Sequence, residues 1–379
     1  MWIAANSSLP ISSLENVTKN DIASILVPAV FAFLLGVAIS PLILRFLRKN
    51  EMWRKQDQLL DLGGQQASIT AKLNDDASQR VPRMGGLVII VTVAITTLFF
   101  WVVSLVDRSG FIHQLDYASR DAGRAETWLV IFSLITGSII GILDDLAVVG
   151  RLAFIKGKLK EYVGGGLPLS LRLLIASIIG LVCGWWWYFQ LDITSVAFPF
   201  LGSFDLGVFI IPFIILVIMA TYSGGIIDGV DGLAGGTFAI MFTTYALIAL
   251  LQGHFNLATF CLVVTGSILA FLWHNIPPAK FYMSETGSMA LTVTLSIVAF
   301  MTDTVFLLPV IAFPLLITSL SVILQTCSKR FFGRKLFLVS PLHNYFRAKG
   351  LPGHNVVMRY WVVAQISAVS GLAIFLLGY

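Results

Sequence analysis

The chain is 379 residues long, 57% hydrophobic and only 12% charged, with a mean hydropathy of +0.87. Soluble globular domains carry roughly 25% charged residues, so that class is excluded. The formal charge of +5 comes from Lys and Arg in short loops between apolar runs, a pattern of membrane topology and not of nucleic-acid binding.

The first twenty residues are polar and include Glu15 and Lys19, so they lack the basic start and apolar stretch of a cleaved signal peptide. The first membrane helix is expected to direct insertion itself. About 20 mostly apolar residues cross a bilayer. Ten such runs follow, at roughly 23–45, 84–106, 127–147, 171–191, 205–223, 233–252, 255–274, 286–302, 304–326 and 356–378. The predicted fold is all-α: a polytopic integral membrane protein of about ten transmembrane helices. No repeat, low-complexity tract or long linker divides the sequence, so residues 1–379 are expected to form one integral-membrane domain.

An even number of spans puts both termini on one side. Loops 46–83, 148–170, 224–232, 275–285 and 327–355, with the flanking Arg45, Arg172 and Arg359, hold all but four of the 25 Lys and Arg residues. The exceptions are Lys19, Arg108, Arg120 and Arg124. The positive-inside rule makes the rich set cytoplasmic and both termini extracytoplasmic. The outer loops 107–126 and 192–204 are bland, and no chemistry is expected there. Cys183, Cys261 and Cys327 show no metal or disulfide spacing and are read as small core residues.

The informative residues are carboxylates at span ends, because ionisable groups at membrane depth cost about 2.5–3.5 kcal/mol each. Asp144 and Asp145 close the third span, Asp228 and Asp231 flank Gly229 and Val230, and Glu285 follows the Pro277-Pro278 break on a segment re-entering the membrane. Each has an ordinary alternative reading: an Asp is often a helix cap, and an Asp pair beside a loop is often only solvated. The spacing of Asp228 and Asp231, i and i+3, suits one helical face. All five are expected on the cytoplasmic side. Like charges about 4 Å apart repel by about 4 kcal/mol at an effective dielectric of about 20, which a cation relieves. Hard oxygens without His or Cys partners suit Mg²⁺, which uses one or two carboxylates plus substrate phosphates. The glycines at 224–225 and 235–236 fit close helix packing better than phosphate contact. The loop 327–355 brings basic residues and His343 to the same face.

The order of these motifs resembles the polyprenyl-phosphate N-acetylhexosamine-1-phosphate transferase superfamily, glycosyltransferase family 4, and within it the phospho-N-acetylmuramoyl-pentapeptide transferase family. The residues carrying the resemblance are Val81-Pro82-Arg83-Met84-Gly85-Gly86-Leu87, the Asp144-Asp145 pair, Asp228-Gly229-Val230-Asp231-Gly232-Leu233-Ala234, Asn275-Ile276-Pro277-Pro278-Ala279-Lys280-Phe281, Pro341-Leu342-His343 through Gly350-Leu351-Pro352, and Met358-Arg359-Tyr360-Trp361.

The resemblance implies transfer of phospho-N-acetylmuramoyl-pentapeptide from its UDP form to undecaprenyl phosphate. The products are lipid I and UMP, at the cytoplasmic face of a bacterial inner membrane, with Mg²⁺. It implies catalytic roles for Asp144, Asp145, Asp228 and His343, with Asp144 orienting or deprotonating the lipid phosphate and Asp228 shaping the nucleotide pocket, and metal binding by Asp231 and Glu285. Arg80, Arg151, Arg172, Gly225 and Asn344 are the candidates for substrate contact. The oligomeric state is open, a homodimer included.

Several positions depart from the family pattern. Its Lys three residues beyond the Asp pair is Val148 here, near Arg151 and the cluster Lys156, Lys158 and Lys160. Its two Asn residues ahead of the Asp-Gly motif are Tyr222 and Gly225, its metal-binding Asp is Glu285, and its triple-His loop keeps His343, followed by Asn344 and Tyr345. A sister transferase of N-acetylglucosamine 1-phosphate, a non-catalytic scaffold and an ion-coupled transporter are the alternatives.

Overall fold

The computed structural model describes residues 18–53, 80–106, 111–118, 124–151 and 166–379. In chain order the helices are α1 (Lys19–Lys49), α2 (Leu87–Ser104), α3 (Phe111–Gln114), α4 (Arg124–Val149), α5 (Leu169–Gln190), α6 (Ile210–Ser223), α7 (Leu233–Leu251), α8 (Phe255–Asn275), α9 (Ser284–Met301), α10 (Leu308–Ile311), α11 (Phe313–Phe332), α12 (Leu342–Ala348) and α13 (Gly353–Gly378). Among the described residues nine helical segments are long and apolar enough to cross a membrane alone. A tenth span is broken, with Val305–Ile311 and Phe313–Phe332 meeting at 79°. Pro309 and Pro314, each in the first turn of its helix, account for the break, because proline starts a helix well and cannot continue one.

Helix α1 starts where Thr18 and Asp21 cap each other reciprocally: Asp21 N–H donates to Thr18 Oγ1 at 3.2 Å and Thr18 N–H to Asp21 Oδ2 at 3.0 Å. The innermost helix is α9, the least apolar span and the most enclosed. Ser and Thr are tolerated inside it because their hydroxyls bond back to the helix: Thr292 Oγ1 donates to the Ser288 carbonyl at 2.8 Å and Ser296 Oγ to that of Thr292 at 3.1 Å. Small side chains also admit α4 closely. A Cβ on Gly137 would lie 2.9 Å from the Ala290 Cα, and one on Gly141 would strike the Glu285 carbonyl. Helices α7 and α8 flank this centre, whereas α1, α5 and α13 present broad apolar faces outward, as lipid contact requires.

Two expectations need correction here. The 192–204 region is not a featureless loop. Ser195–Phe198 (β1) and Gly202–Asp205 (β2) pair antiparallel, from Ser195 opposite Asp205 to Phe198 opposite Gly202. This hairpin docks on the far end of the bundle, where Ala197 N–H donates to Asp303 at 2.9 Å and Phe200 N–H to the Gly378 carbonyl at 2.9 Å. Cys183 and Cys261 are buried as expected, but Cys327 is exposed, because it falls on the outward face of α11.

Candidate active site

Helix α4 runs on to Val149, so Asp144 and Asp145 lie within it and not in a solvated loop; they are 2% and 0% exposed. Carboxylates this deep need partners. Asp145 Oδ1 accepts from Arg83 Nε and Nη2, both at 3.1 Å, and its Oδ2 accepts from the N–H and hydroxyl of Thr286 at 2.9 and 2.7 Å. The carboxylate thus sits at the start of α9, where unpaired backbone N–H groups favour negative charge. Asp144 Oδ1 accepts from Leu167 N–H at 2.7 Å and lies 3.0 Å from Arg172 Nε. Its Oδ2 is buried with no hydrogen-bond partner among the described residues. Arg172 Nη1 donates to Glu285 Oε1 at 3.0 Å, and Tyr222 hydrogen-bonds the same guanidinium.

The Asp228–Asp231 stretch is not helical, which corrects the expectation of one helical face. A 3₁₀ turn over Gly224–Ile227 ends at Asp228, whose ψ of 63° leaves the helix, and Gly232 takes φ 80° before α7 begins. In this turn the two side chains reach separate segments. Asp228 Oδ2 accepts from Ser284 N–H at 2.7 Å, and Asp231 Oδ2 from Ala279 N–H at 3.0 Å. Burial pushes the Asp228 carboxyl up to about 6, with the Ser284 N–H and Arg83 pulling the other way. Asn275 pins the turn: its Oδ1 accepts from Gly232 N–H at 2.9 Å while its Nδ2 donates to the Phe281 carbonyl at 2.9 Å. Trp361 Nε1 adds a bond to the Gly232 carbonyl at 3.2 Å.

The carboxylates of Asp144, Asp145, Asp228 and Glu285 therefore gather at one end of the bundle, close enough to feel one another's charge. Asp231 stands on the adjoining turn. Two guanidinium groups relieve part of their repulsion, Arg83 on Asp145 and Arg172 across Asp144 and Glu285. Among the described residues no three His, Cys, Asp or Glu side chains form a group able to hold a metal by themselves. The donors nevertheless fit Mg²⁺. They are hard oxygens, one of them the partnerless Asp144 Oδ2, and Mg²⁺ ordinarily takes one or two carboxylates and completes its shell with water and phosphate oxygens. Glu285, in the first turn of α9, is partly exposed and open to such a ligand.

The remaining expected residues lie as follows. His343 opens α12, is buried, and packs its Nε2 on Gly229, leaving no room for a side chain there; its Nδ1 has no hydrogen-bond partner among the described residues. Burial, helped by Arg347, holds its imidazole down at about 3, so it is neutral at pH 7. Asn344 is buried beside it, its Oδ1 accepting from Arg347 Nη1 at 3.4 Å. Arg151 is exposed and donates to the Asn50 carbonyl at 2.6 Å, tying α4 to the end of α1. Arg80 is exposed, with φ 50°. A Cβ on Gly225 would meet Ser288 at an ordinary 3.5 Å, so no close approach demands glycine there. Gly224 and Gly236 do serve packing, against Leu315 and Trp361. Lys156, Lys158 and Lys160 lie outside the described residues. Sequence reasoning missed the roles of Arg83, Tyr222, Thr286 and Asn275. Arg83 and Asn275 stood in quoted motifs and Tyr222 at a departure from the family pattern, while Thr286 carried no signal.

The glycosyl transferase family 4 description matches residues 127–303, which include both Asp pairs and Glu285. The chain is 31% identical over 356 residues to a phospho-N-acetylmuramoyl-pentapeptide-transferase of Anoxybacillus flavithermus, covering 92% of this chain and 97% of that protein. Proteins of the same description from a Geobacillus species and from Bacillus thuringiensis are also 31% identical, over 349 and 351 residues. Those alignments cover 91% and 92% of this chain and 96% and 97% of theirs.

Proposed function

Because the chain belongs to the phospho-N-acetylmuramoyl-pentapeptide-transferase family, within glycosyl transferase family 4, we propose that it moves phospho-N-acetylmuramoyl-pentapeptide from UDP-N-acetylmuramoyl-pentapeptide to undecaprenyl phosphate, forming lipid I and UMP in a bacterial cell membrane. The observation that carries this reading is the joining of Asp144 and Glu285, from two different spans, through one guanidinium at the end of the bundle where Asp145 and Asp228 also converge. A transporter would need its carboxylates near mid-membrane on broken helices. Here they sit at helix ends, and the broken span, α10 with α11, contributes none of them.

In the proposed reaction an oxygen of the lipid phosphate attacks the sugar-linked phosphorus; the new P–O bond forms as the bond to the UMP oxygen breaks. Such displacements are governed by positioning and charge neutralisation. Asp144 is the residue for orienting the lipid phosphate and holding its proton, because its Oδ2 has no competing donor among the described residues. Asp145 fixes the start of α9, and with it Glu285. Glu285, with Asp231 on the adjoining turn, would hold Mg²⁺, which neutralises charge on the diphosphate when bound. Asp228, held by the Ser284 N–H, and the neutral His343 shape the nucleotide side, with Arg80, Arg151, Arg172, Gly225 and Asn344 as the candidate substrate contacts. The acidic end faces the cytoplasm in this proposal, where the soluble donor is.

The test uses purified protein in detergent with undecaprenyl phosphate, Mg²⁺ and each UDP-sugar. UMP release with the muramoyl-pentapeptide donor, abolished by chelation and by Asp144→Asn in a protein that keeps its melting temperature, is the expected result. Release with UDP-N-acetylglucosamine alone assigns the sister activity. No release with any donor overturns the transferase reading.

A further inference from the structure

We propose that Arg172 is an internal counter-ion on Asp144 and Glu285, so that a metal held by Glu285 binds well only when an anionic diphosphate draws the guanidinium away. This rests on the metal-dependent reading above. Arg172 donates from Nη1 to Glu285 Oε1 at 3.0 Å and pairs with Asp144, whose Oδ1 lies 3.0 Å from its Nε. One planar cation therefore bridges acids from α4 and α9. The backbone of Leu167 braces the arrangement: its N–H donates to Asp144 Oδ1 at 2.7 Å and its carbonyl accepts from Arg172 Nε at 2.9 Å. Gly166 packs so closely that a Cβ there would meet both the guanidinium and the Asp144 carboxylate.

The charge balance points the same way. Asp144 and Glu285 share the one positive charge of Arg172; once it is drawn away these two carboxylates lack two charges, which one divalent cation matches, and Asp144 Oδ2 is buried with no partner among the described residues. A metal placed beside Arg172 would crowd like charges in a shielded site, so its affinity is suppressed until the guanidinium has another anion. An incoming anion can reach Arg172, whose side chain is 22% exposed near the start of α5. Guanidinium is also the side chain best matched to phosphate oxygens. Metal and nucleotide then bind cooperatively, each supplying what the other displaces.

The experiment measures free Mn²⁺ by electron paramagnetic resonance over wild-type, R172Q and R172K proteins in detergent, with and without UDP, corrected against protein-free nucleotide. Wild type is expected to bind Mn²⁺ at least tenfold more tightly with UDP than without. R172Q is expected to bind without UDP at least tenfold more tightly than wild type, with little further gain from UDP. R172K, which keeps the charge but lacks the fork spanning two carboxylates, is expected between them and decides the matter if R172Q does not fold. UDP-coupled binding in wild type with no tightening in either variant overturns the counter-ion role alone. No Mn²⁺ binding in any protein, with or without UDP, overturns the metal-dependent reading as well.

Discussion

Asp228 and His343 pack on the same turn, yet burial gives them opposite effects on stability as pH changes. For Asp228 the folded value of about 6 stands above the roughly 3.9 of a free carboxyl. The native state therefore holds its proton more tightly, and this contribution is present below about pH 4 and lost as pH rises through about 6. For His343 the folded value of about 3 stands below the roughly 6.5 of free imidazole. Its contribution is present above about pH 6.5 and lost as pH falls toward 3. Melting temperatures recorded in detergent from pH 3 to 8 should show Asp228→Asn flattening the decline between 4 and 6, and His343→Gln flattening the acid loss below 6.5. Asp145 is the residue whose loss should cost most. Removing it strands Arg83 and two Thr286 donors, and breaking a buried pair costs about 3–5 kcal/mol, reduced here because Arg83 is partly exposed. Asp145→Ala should thus fall by about 3 kcal/mol in denaturant titration. Asp145→Asn, which still accepts from Thr286, should fall by less.

At the level of elements, the site is held by backbone contacts between helix ends. The turn before α2 lies directly on the start of α9, with Gly85 N–H donating to the Tyr282 carbonyl at 2.7 Å and Gly86 N–H to that of Met283 at 3.2 Å. A Cβ on Gly86 would strike the Gly287 backbone, which cannot swing aside as a side chain can. Gly86→Ala should therefore cost about 1–3 kcal/mol by overpacking, read as a lowered melting temperature. It should also reduce turnover more than a substitution on the lipid-facing side of α2 such as Leu98→Ala, because the displaced helix carries Glu285. Close approach of this kind explains why α9 is rich in Ser and Thr despite being the most enclosed span.

For the whole molecule, orientation follows from which end carries both the basic loops and the acidic site. Cys327 reports on it directly, being exposed two residues from Lys329 while Cys183 and Cys261 are buried. A membrane-impermeant maleimide should label Cys327 in inside-out vesicles and leave it unlabelled in right-side-out ones. Labelling only in right-side-out vesicles would reverse the proposed topology. The hairpin at the other end, clasped to Asp303 and Gly378, joins the α5–α6 connection to the close of α13, so truncating the last helix should loosen a region far from the carboxylates.

Sequence alone determined what depends on chain composition and local order: nine apolar runs within a few residues of their observed ends and a tenth whose break at 79° it did not show, the asymmetry of basic loops, and the acidic and histidine motifs with their family resemblance. These are local because a bilayer reads hydrophobicity in runs of about 20 residues. The tertiary structure alone decided which carboxylate meets which partner. Arg83 is 62 positions from Asp145, Arg172 is 113 from Glu285, and Asp228 finds a backbone N–H 56 positions away. The i, i+3 spacing of Asp228 and Asp231 suggested a shared face, but the glycines around them bend the chain into a turn and send them to different segments. Charge pairing acts through space between helix ends, and only the packing of α4, α5 and α9 sets those distances.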